Sequence, residues 1–177
     1  MAGRKNKSSE IEPKTLVQKV NFCYRSEMTK QNYRRQDCPI AHTLSIVGDQ
    51  WTILVIRDVL SGAHRFDELQ KKTGISRNLL TRRLKQLVTD GLLTRRPVPG
   101  SRRHAYRPTT KCNELRPTIL ALAEWGQKWR DDPGGTRIEI REKGSNKPVG
   151  LRFCRLQDGQ EIDADDITVK RIRSTAG

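Results

Sequence analysis

The chain of 177 residues is long enough for one compact domain and an appendage, and too short for two full-sized domains. A formal net charge of +15, a pI near 10.2 and an aromatic content of 5% point to a polyanionic partner. No stretch approaches the roughly 18 consecutive apolar residues of a spanning helix, and the polar start Met1 to Ser9 lacks the apolar core of a secretory signal, so the expected setting is the cytoplasm, with no membrane partner.

Taken in chain order, residues 1–14 are rich in Lys, Ser and Pro and read as a disordered basic arm. Residues 15–37 read as a helical arm: Leu16, Val20 and Tyr24 line one face, although Asn21, Asn32 and the cluster from Arg34 to Asp37 interrupt it. The organised domain is expected over 38–132. It begins at Cys38-Pro39, where proline suits a first helical turn, and continues through Ile40, Ala41, Leu44 and Val47 as a short helix broken by Gly48-Asp49. Trp51 to Leu60 is apolar enough for a buried central helix ended by Ser61-Gly62, and Arg65 to Lys72 forms a third helix with Phe66 and Leu69 facing inward.

Gly74 then permits a sharp turn between crossed helices, and Ser76 caps a helix running to about Asp90. At about 100° per residue, Leu80, Leu84 and Leu87 fall on one face with Leu79 flanking, leaving Asn78, Thr81, Arg82 and Lys85 opposite. Gly91 stops the helix. Leu92 to Arg96 reads as a strand, Pro97 to Ser101 as a turn, and a strand returns through Tyr106, giving a hairpin with a basic tip. Leu115 to Arg130 is an amphipathic helix carrying Ile119, Leu122, Ala123, Trp125 and Trp129, with Pro117 in its first turn. Beyond the linker Asp131 to Gly135, residues 133–177 are read as a small β extension. Ile138/Ile140, Val149/Leu151/Phe153 and Ile167/Val169 alternate, and Asp158-Gly159 signals a hairpin turn.

The fold class is therefore mainly α with a small β part (α+β): a winged helix-turn-helix followed by a β appendage. Its charge is concentrated where a winged helix meets DNA. Between Lys71 and Lys111 stand twelve Lys and Arg against a single acid, Asp90, a net of +11 in one segment. Ser76, Arg77, Asn78, Thr81 and Arg82 are the candidates for base edges, since Arg suits guanine and Asn suits adenine. Lys85, Arg95, Arg96, Arg102 and Arg103 are the candidates for phosphates or the minor groove. Arg83 lies near the apolar face, where its stem packs and its head reaches water. The alternative to a sequence-reading protein is a sequence-tolerant architectural or RNA-binding one, held mainly through phosphates.

An enzyme is not expected. The chain has no Gly-rich phosphate loop, no recognisable Ser/His/Asp setting and no paired carboxylates; Asp49 and Asp58 read as helix-end and surface charges. Cys23, Cys38, Cys112 and Cys154 form neither a CxxC pair nor a Cys/His cluster, and His42, His64 and His104 are given surface or capping roles, so no metal or cofactor is expected.

The segment from about Cys38 to Trp129 resembles the HxlR-type winged-helix regulators, relatives of the MarR-like group. The resemblance rests on Cys38-Pro39, Val47-Gly48-Asp49-Gln50-Trp51-Thr52, Arg65-Phe66-Asp67-Glu68-Leu69, Gly74-Ile75-Ser76, Leu80 to Leu87, Gly91 to Arg95, Tyr106 to Thr109 and Glu124-Trp125, in this order and spacing. Two departures are visible, Gln50 for a common lysine and Cys112 for a common glycine. The resemblance implies a nucleoid-associated homodimer, with the helix around Leu115 to Trp129 and an N-terminal segment packing across the two-fold. It also implies an inverted-repeat operator on double-stranded DNA read by two such helices. It makes Cys38 a candidate sensor of oxidants or electrophiles, with a small-molecule or redox effector as the input.

Overall fold

A computed structural model describes residues 36–132 and 134–170; the basic arm expected over 1–14 and almost all of the arm expected over 15–37 lie outside them. The chain divides into two compact units, Met1–Val55 and Ile56–Gly177.

In the first unit, α1 (Pro39–Val47) starts on its proline, which has no N–H to leave unsatisfied, and Cys38 precedes it in extended conformation. Ala41, Ser45 and Val47 are buried, and the Ser45 hydroxyl donates to the His42 carbonyl at 2.6 Å. Gly48 ends the helix. A Cβ there would stand 2.5 Å from the Leu44 carbonyl oxygen, so the tight exit requires glycine. Asp49 Oδ1 then accepts from the backbone N–H of Trp51 and Thr52 at 3.1 and 3.2 Å, capping α2 (Gln50–Leu60) as a helix-end charge should.

In the second unit the C-terminal turn of α2 buries Ile56 and Val59. Asp58 departs from the surface role expected of it. It is 5% exposed, and both of its oxygens accept from the Arg57 guanidinium, at 2.9 and 3.1 Å. A buried carboxylate needs such a partner, and here an adjacent residue supplies it. Arg116 Nη1 donates to the Leu60 carbonyl at 3.1 Å, placing a cation at the end of α2.

α3 (Phe66–Thr73) is opened by Glu68, whose carboxylate accepts from the backbone N–H of Arg65 and His64, both at 3.0 Å. The Arg65 N–H, then that of His64, hold the Glu68 carboxyl below its usual range. Leu69 is fully buried, whereas Phe66, expected to face inward, is half-buried, with the Arg77 guanidinium 5.2 Å from its ring centroid. Gly74, at φ +70°, ends α3 in the left-handed conformation.

Ser76 caps α4 (Arg77–Thr89), its hydroxyl accepting from Leu79 N–H. Leu80, Leu84 and Leu87 are at most 1% exposed, and with Leu69, Leu92 and Leu93 they form the centre of the core. Burying each such side chain contributes about 1.5–3 kcal/mol.

β1 (Leu93–Pro97) and β2 (His104–Pro108) pair antiparallel, with Leu93 opposite Pro108 and Pro97 opposite His104. On its other side β2 meets a one-residue bridge, Arg65 to Ala105, strengthened by the Tyr106 N–H donating to the His64 carbonyl at 2.7 Å. His64 is thereby drawn inward from the surface role assigned to it. Its Nδ1 is buried without a hydrogen-bond partner among the described residues, and burial, then Arg107, lower its pKa.

The expected helix from Leu115 is preceded by a separate turn, α5 (Thr110–Asn113), capped by the Thr109 hydroxyl, which accepts from Cys112 N–H. Cys112 is fully buried, and that burial raises its thiol pKa. α6 (Arg116–Lys128) follows, with Pro117 in its first turn. The extension is less regular than its alternating pattern suggests. β3 (Phe153–Cys154) and β4 (Glu161–Ile162) are two residues each around the Asp158-Gly159 turn, a single bridge joins Arg141 to Pro148, and Ile167 and Val169 form no strand. Alternation alone sets which side chains share a face; ladder length needs a partner strand. No helix among the described residues is long and apolar enough to cross a membrane.

Candidate nucleic-acid interface

The helical period separates the two faces of α4. With Leu80, Leu84 and Leu87 buried, Arg77, Asn78, Thr81, Arg82 and Lys85 stand exposed on the other side, and Arg83 is half-buried between them. Thr81 and Ser76 are partly engaged with the backbone. The Thr81 hydroxyl donates to the Arg77 carbonyl at 2.8 Å, and Ser76 serves the cap, which sets the helix start at the outward end.

The hairpin brings Arg95 and Arg103 beside Arg77 at the start of α4. Gly100, at φ +72°, turns the tip, the Val98 N–H donates to the Arg103 carbonyl at 3.0 Å, and the Ser101 hydroxyl accepts from Arg103 N–H at 3.1 Å. Arg95, Arg96, Arg102 and Arg103 are all exposed. Arg95 Nη2 and His104 Nδ1 lie 3.1 Å apart, and Arg103 Nη1 lies 3.5 Å from Asp67 Oδ2 of α3.

Arg77, Arg95 and Arg103 converge with Arg65, Phe66 and Tyr106 on a cleft of about 490 Å³. Arg82, Lys85, Arg96 and Arg102 do not line it. Arg65 and Asp67 were not singled out by the charge pattern, although both stand in the segment Arg65 to Leu69 that carries part of the family resemblance. The Asp67–Arg103 pair, 36 positions apart, has no local signature. One exposed base of the segment is engaged within the fold: Lys111 Nζ donates to the Asp90 carbonyl at 2.9 Å, serving the C-terminus of α4.

Asp67 sets a carboxylate beside Arg103, one of the residues expected to meet phosphates. Asp67→Asn is therefore expected to tighten binding to every duplex by about 1.5- to 5-fold, the scale of an exposed ion pair. It should also steepen the salt dependence by about one phosphate contact. Fluorescence anisotropy across a salt series would register both, and an unchanged or weaker affinity would place Arg103 outside the contact surface.

Among the described residues no group of three or more His, Cys, Asp or Glu could hold a metal ion. Cys38, Cys112 and Cys154 are unbridged thiols, half-buried, buried and exposed respectively.

The model of HxlR-like helix-turn-helix proteins matches residues 46–133. An uncharacterized HTH-type transcriptional regulator of Mycobacterium tuberculosis (strain H37Rv) is 32% identical over 138 residues, which cover 77% of this chain and 87% of the relative. The chain belongs to the HxlR-like helix-turn-helix family. Its members among these relatives are transcriptional regulators and not enzymes, and this HxlR-like protein is a DNA-binding transcriptional regulator of winged helix-turn-helix fold. The regulator YdeP of Bacillus subtilis is 32% identical over 116 residues, 63% of this chain and 88% of its own length. Among solved structures, the candidate transcription factor PA1607 superposes with a TM-score of 0.71 at 32% identity, covering 80% of this HxlR-like chain and 99% of that one. The redox regulator HypR in its reduced form gives 0.50 at 28% identity, covering 53% and 95%.

Proposed function

We propose that this HxlR-like regulator binds an inverted-repeat operator as a homodimer, inserting α4 into the major groove and laying the β1–β2 wing on the flanking backbone or minor groove. The observation that carries the reading is the division of α4: a leucine face at most 1% exposed, and an outward face of Arg77, Asn78, Thr81 and Arg82 beside an arginine-rich wing. Those four, with Ser76 at the helix start, fit base edges; Lys85, Arg95, Arg96, Arg102 and Arg103 fit phosphates. On this reading 38–132 is the DNA-binding and dimerising domain, 133–177 an extension, 1–14 and 15–37 two successive arms, and the protein resides on the nucleoid.

Selection of bound duplexes from a random pool at near-physiological salt tests this. An enriched inverted repeat with half-sites about one helical turn apart supports it; tight binding with no enriched motif replaces it with a sequence-tolerant architectural or RNA-binding role. On the selected operator, Arg82→Ala should cost about 1–3 kcal/mol and relax preference at one base position. Arg102→Ala should weaken operator and random duplex alike. Equal losses on both duplexes for both variants would remove the division of roles.

Cys38 enters the proposal as a sensor of oxidants or electrophiles. It precedes α1 in extended conformation, is half-buried, and receives no side-chain capping bond. One of the structural relatives is a redox regulator. Cys38→Ser should hold DNA equally well with and without diamide while the unsubstituted protein releases it; diamide-dependent release by the variant would assign the response elsewhere.

A further inference from the structure

We propose that the apolar side of the extension, residues 134–170, is an interface covered by a second copy of this chain. The segment folds as two hairpins. Val149 N–H donates to the Ile140 carbonyl at 2.9 Å beside the Arg141–Pro148 bridge, and Phe153 stands opposite Ile162 in the β3–β4 pair. Residues opposite each other in an antiparallel ladder share a face and successive ones alternate, so Ile138, Ile140, Val149, Leu151, Phe153 and Ile162 fall on one side. The other side is polar. It holds the ion pairs of Arg141 with Glu139 at 2.6 Å and of Arg152 with Glu161 at 3.0 Å. A ribbon with two such faces should bury the apolar one, yet no residue of 134–170 is buried, and Val149 and Phe153 are 47% and 59% exposed. Hairpins this short are marginal in water by themselves, and this face lacks the layer that would hold them.

Charge, position and area select a second copy as that layer. Residues 134–170 carry seven Lys and Arg against seven Asp and Glu, a net of zero in a chain of +15. The ribbon therefore neither attracts a polyanion nor repels its own copy. Ile138 N–H donates to Gln127 Oε1 at 2.6 Å, and Arg130 Nη2 donates to the Thr136 carbonyl at 3.2 Å. These bonds start the ribbon beside the end of α6, where the exposed stripe of Leu122, Trp125 and Trp129 also ends. With about 150–250 Å² for a whole aromatic side chain, that stripe leaves about 400 Å² uncovered. A standard interface takes roughly 800 Å² from each partner, and the ribbon face supplies an apolar area comparable to the stripe. The inference rests on the homodimer proposed above and adds to it the part played by the extension.

The full chain with the photoreactive p-benzoylphenylalanine in place of Phe153 tests this. Irradiation should yield covalent pairs of doubled mass, and the same group in place of Cys154, exposed on the polar side of β3, should yield several-fold fewer. A link confined within one chain, to residues 1–35 or elsewhere, gives the face to the chain itself and overturns the proposal; so does equal yield from the two positions. Sedimentation equilibrium on the same samples separates the two possible failures. A dimer that forms no link from position 153 overturns the role of the extension alone, whereas a monomer overturns the homodimer and this inference with it. In a second arm, energy transfer between labelled copies follows subunit exchange. Phe153→Lys should speed it at least about tenfold, and Cys154→Lys, opposite Glu161 on the polar side, by less than about twofold. Equal rates for the two variants overturn the interface.

Discussion

Trp125→Glu is expected to yield a folded monomer that has lost operator affinity. Leu122, Trp125 and Trp129 are 49%, 67% and 64% exposed, and their spacing along α6 and just past its end puts them on one face. A single exposed apolar side chain is ordinary; two tryptophans and a leucine in one stripe form a patch of the kind that marks an interface. In the proposed dimer this face meets its two-fold copy, and the substitution sets a charge against its own image. Loss of a central tryptophan costs about 2–4 kcal/mol, a factor of about 30 to 1,000 in the dimer dissociation constant. Sedimentation equilibrium gives the mass and far-UV circular dichroism the folding. A variant that remains dimeric would move the interface off α6.

The second large effect is on stability. Leu84 lies at the middle of α4, fully buried among Leu80, Leu87 and the leucines at the start of β1. Leu84→Ala removes its transfer energy and leaves a cavity, for a loss of about 2–5 kcal/mol, a large share of the roughly 5–15 kcal/mol of a whole domain. Its exposed neighbour supplies the internal comparison. Lys85→Ala should change the urea midpoint by no more than about 0.5 kcal/mol of stability, though it removes a phosphate candidate. A loss below about 1 kcal/mol for Leu84→Ala would mean that α4 is not held by its leucine face.

The contrast between Leu84 and Lys85 also shows how much the sequence disclosed. The leucine spacing in α4, its Ser76 cap, the turn at Gly74 and the wing were legible because each is local: a period, a cap, a left-handed glycine. What stayed hidden depends on contacts that no window contains. Asp58 looked like a surface charge because its pattern says nothing of burial. Phe66 was placed inward by its hydrophobicity, and the guanidinium that lies over its ring comes from the next helix. α5 is four residues long, too short for a periodic signal. In the extension, alternation was visible but the extent of pairing was not, and β3 and β4 reach two residues each. For the site, the face of α4 was readable, whereas the cleft needed three separate elements brought together.

Three hydrogen bonds made at and just before the start of α6 bear on operator choice. Lys111 grips the end of α4 and Arg116 the end of α2, while the Thr109 hydroxyl donates to the Gly91 carbonyl at 2.8 Å. On the proposed reading, these bonds tie the helix that reads bases to the start of the helix that forms the dimer. In the proposed dimer, the separation of the two reading heads is then expected to behave as a fixed gauge. Such a regulator is expected to tolerate base changes at uncontacted positions more readily than the gain or loss of one base pair between its half-sites.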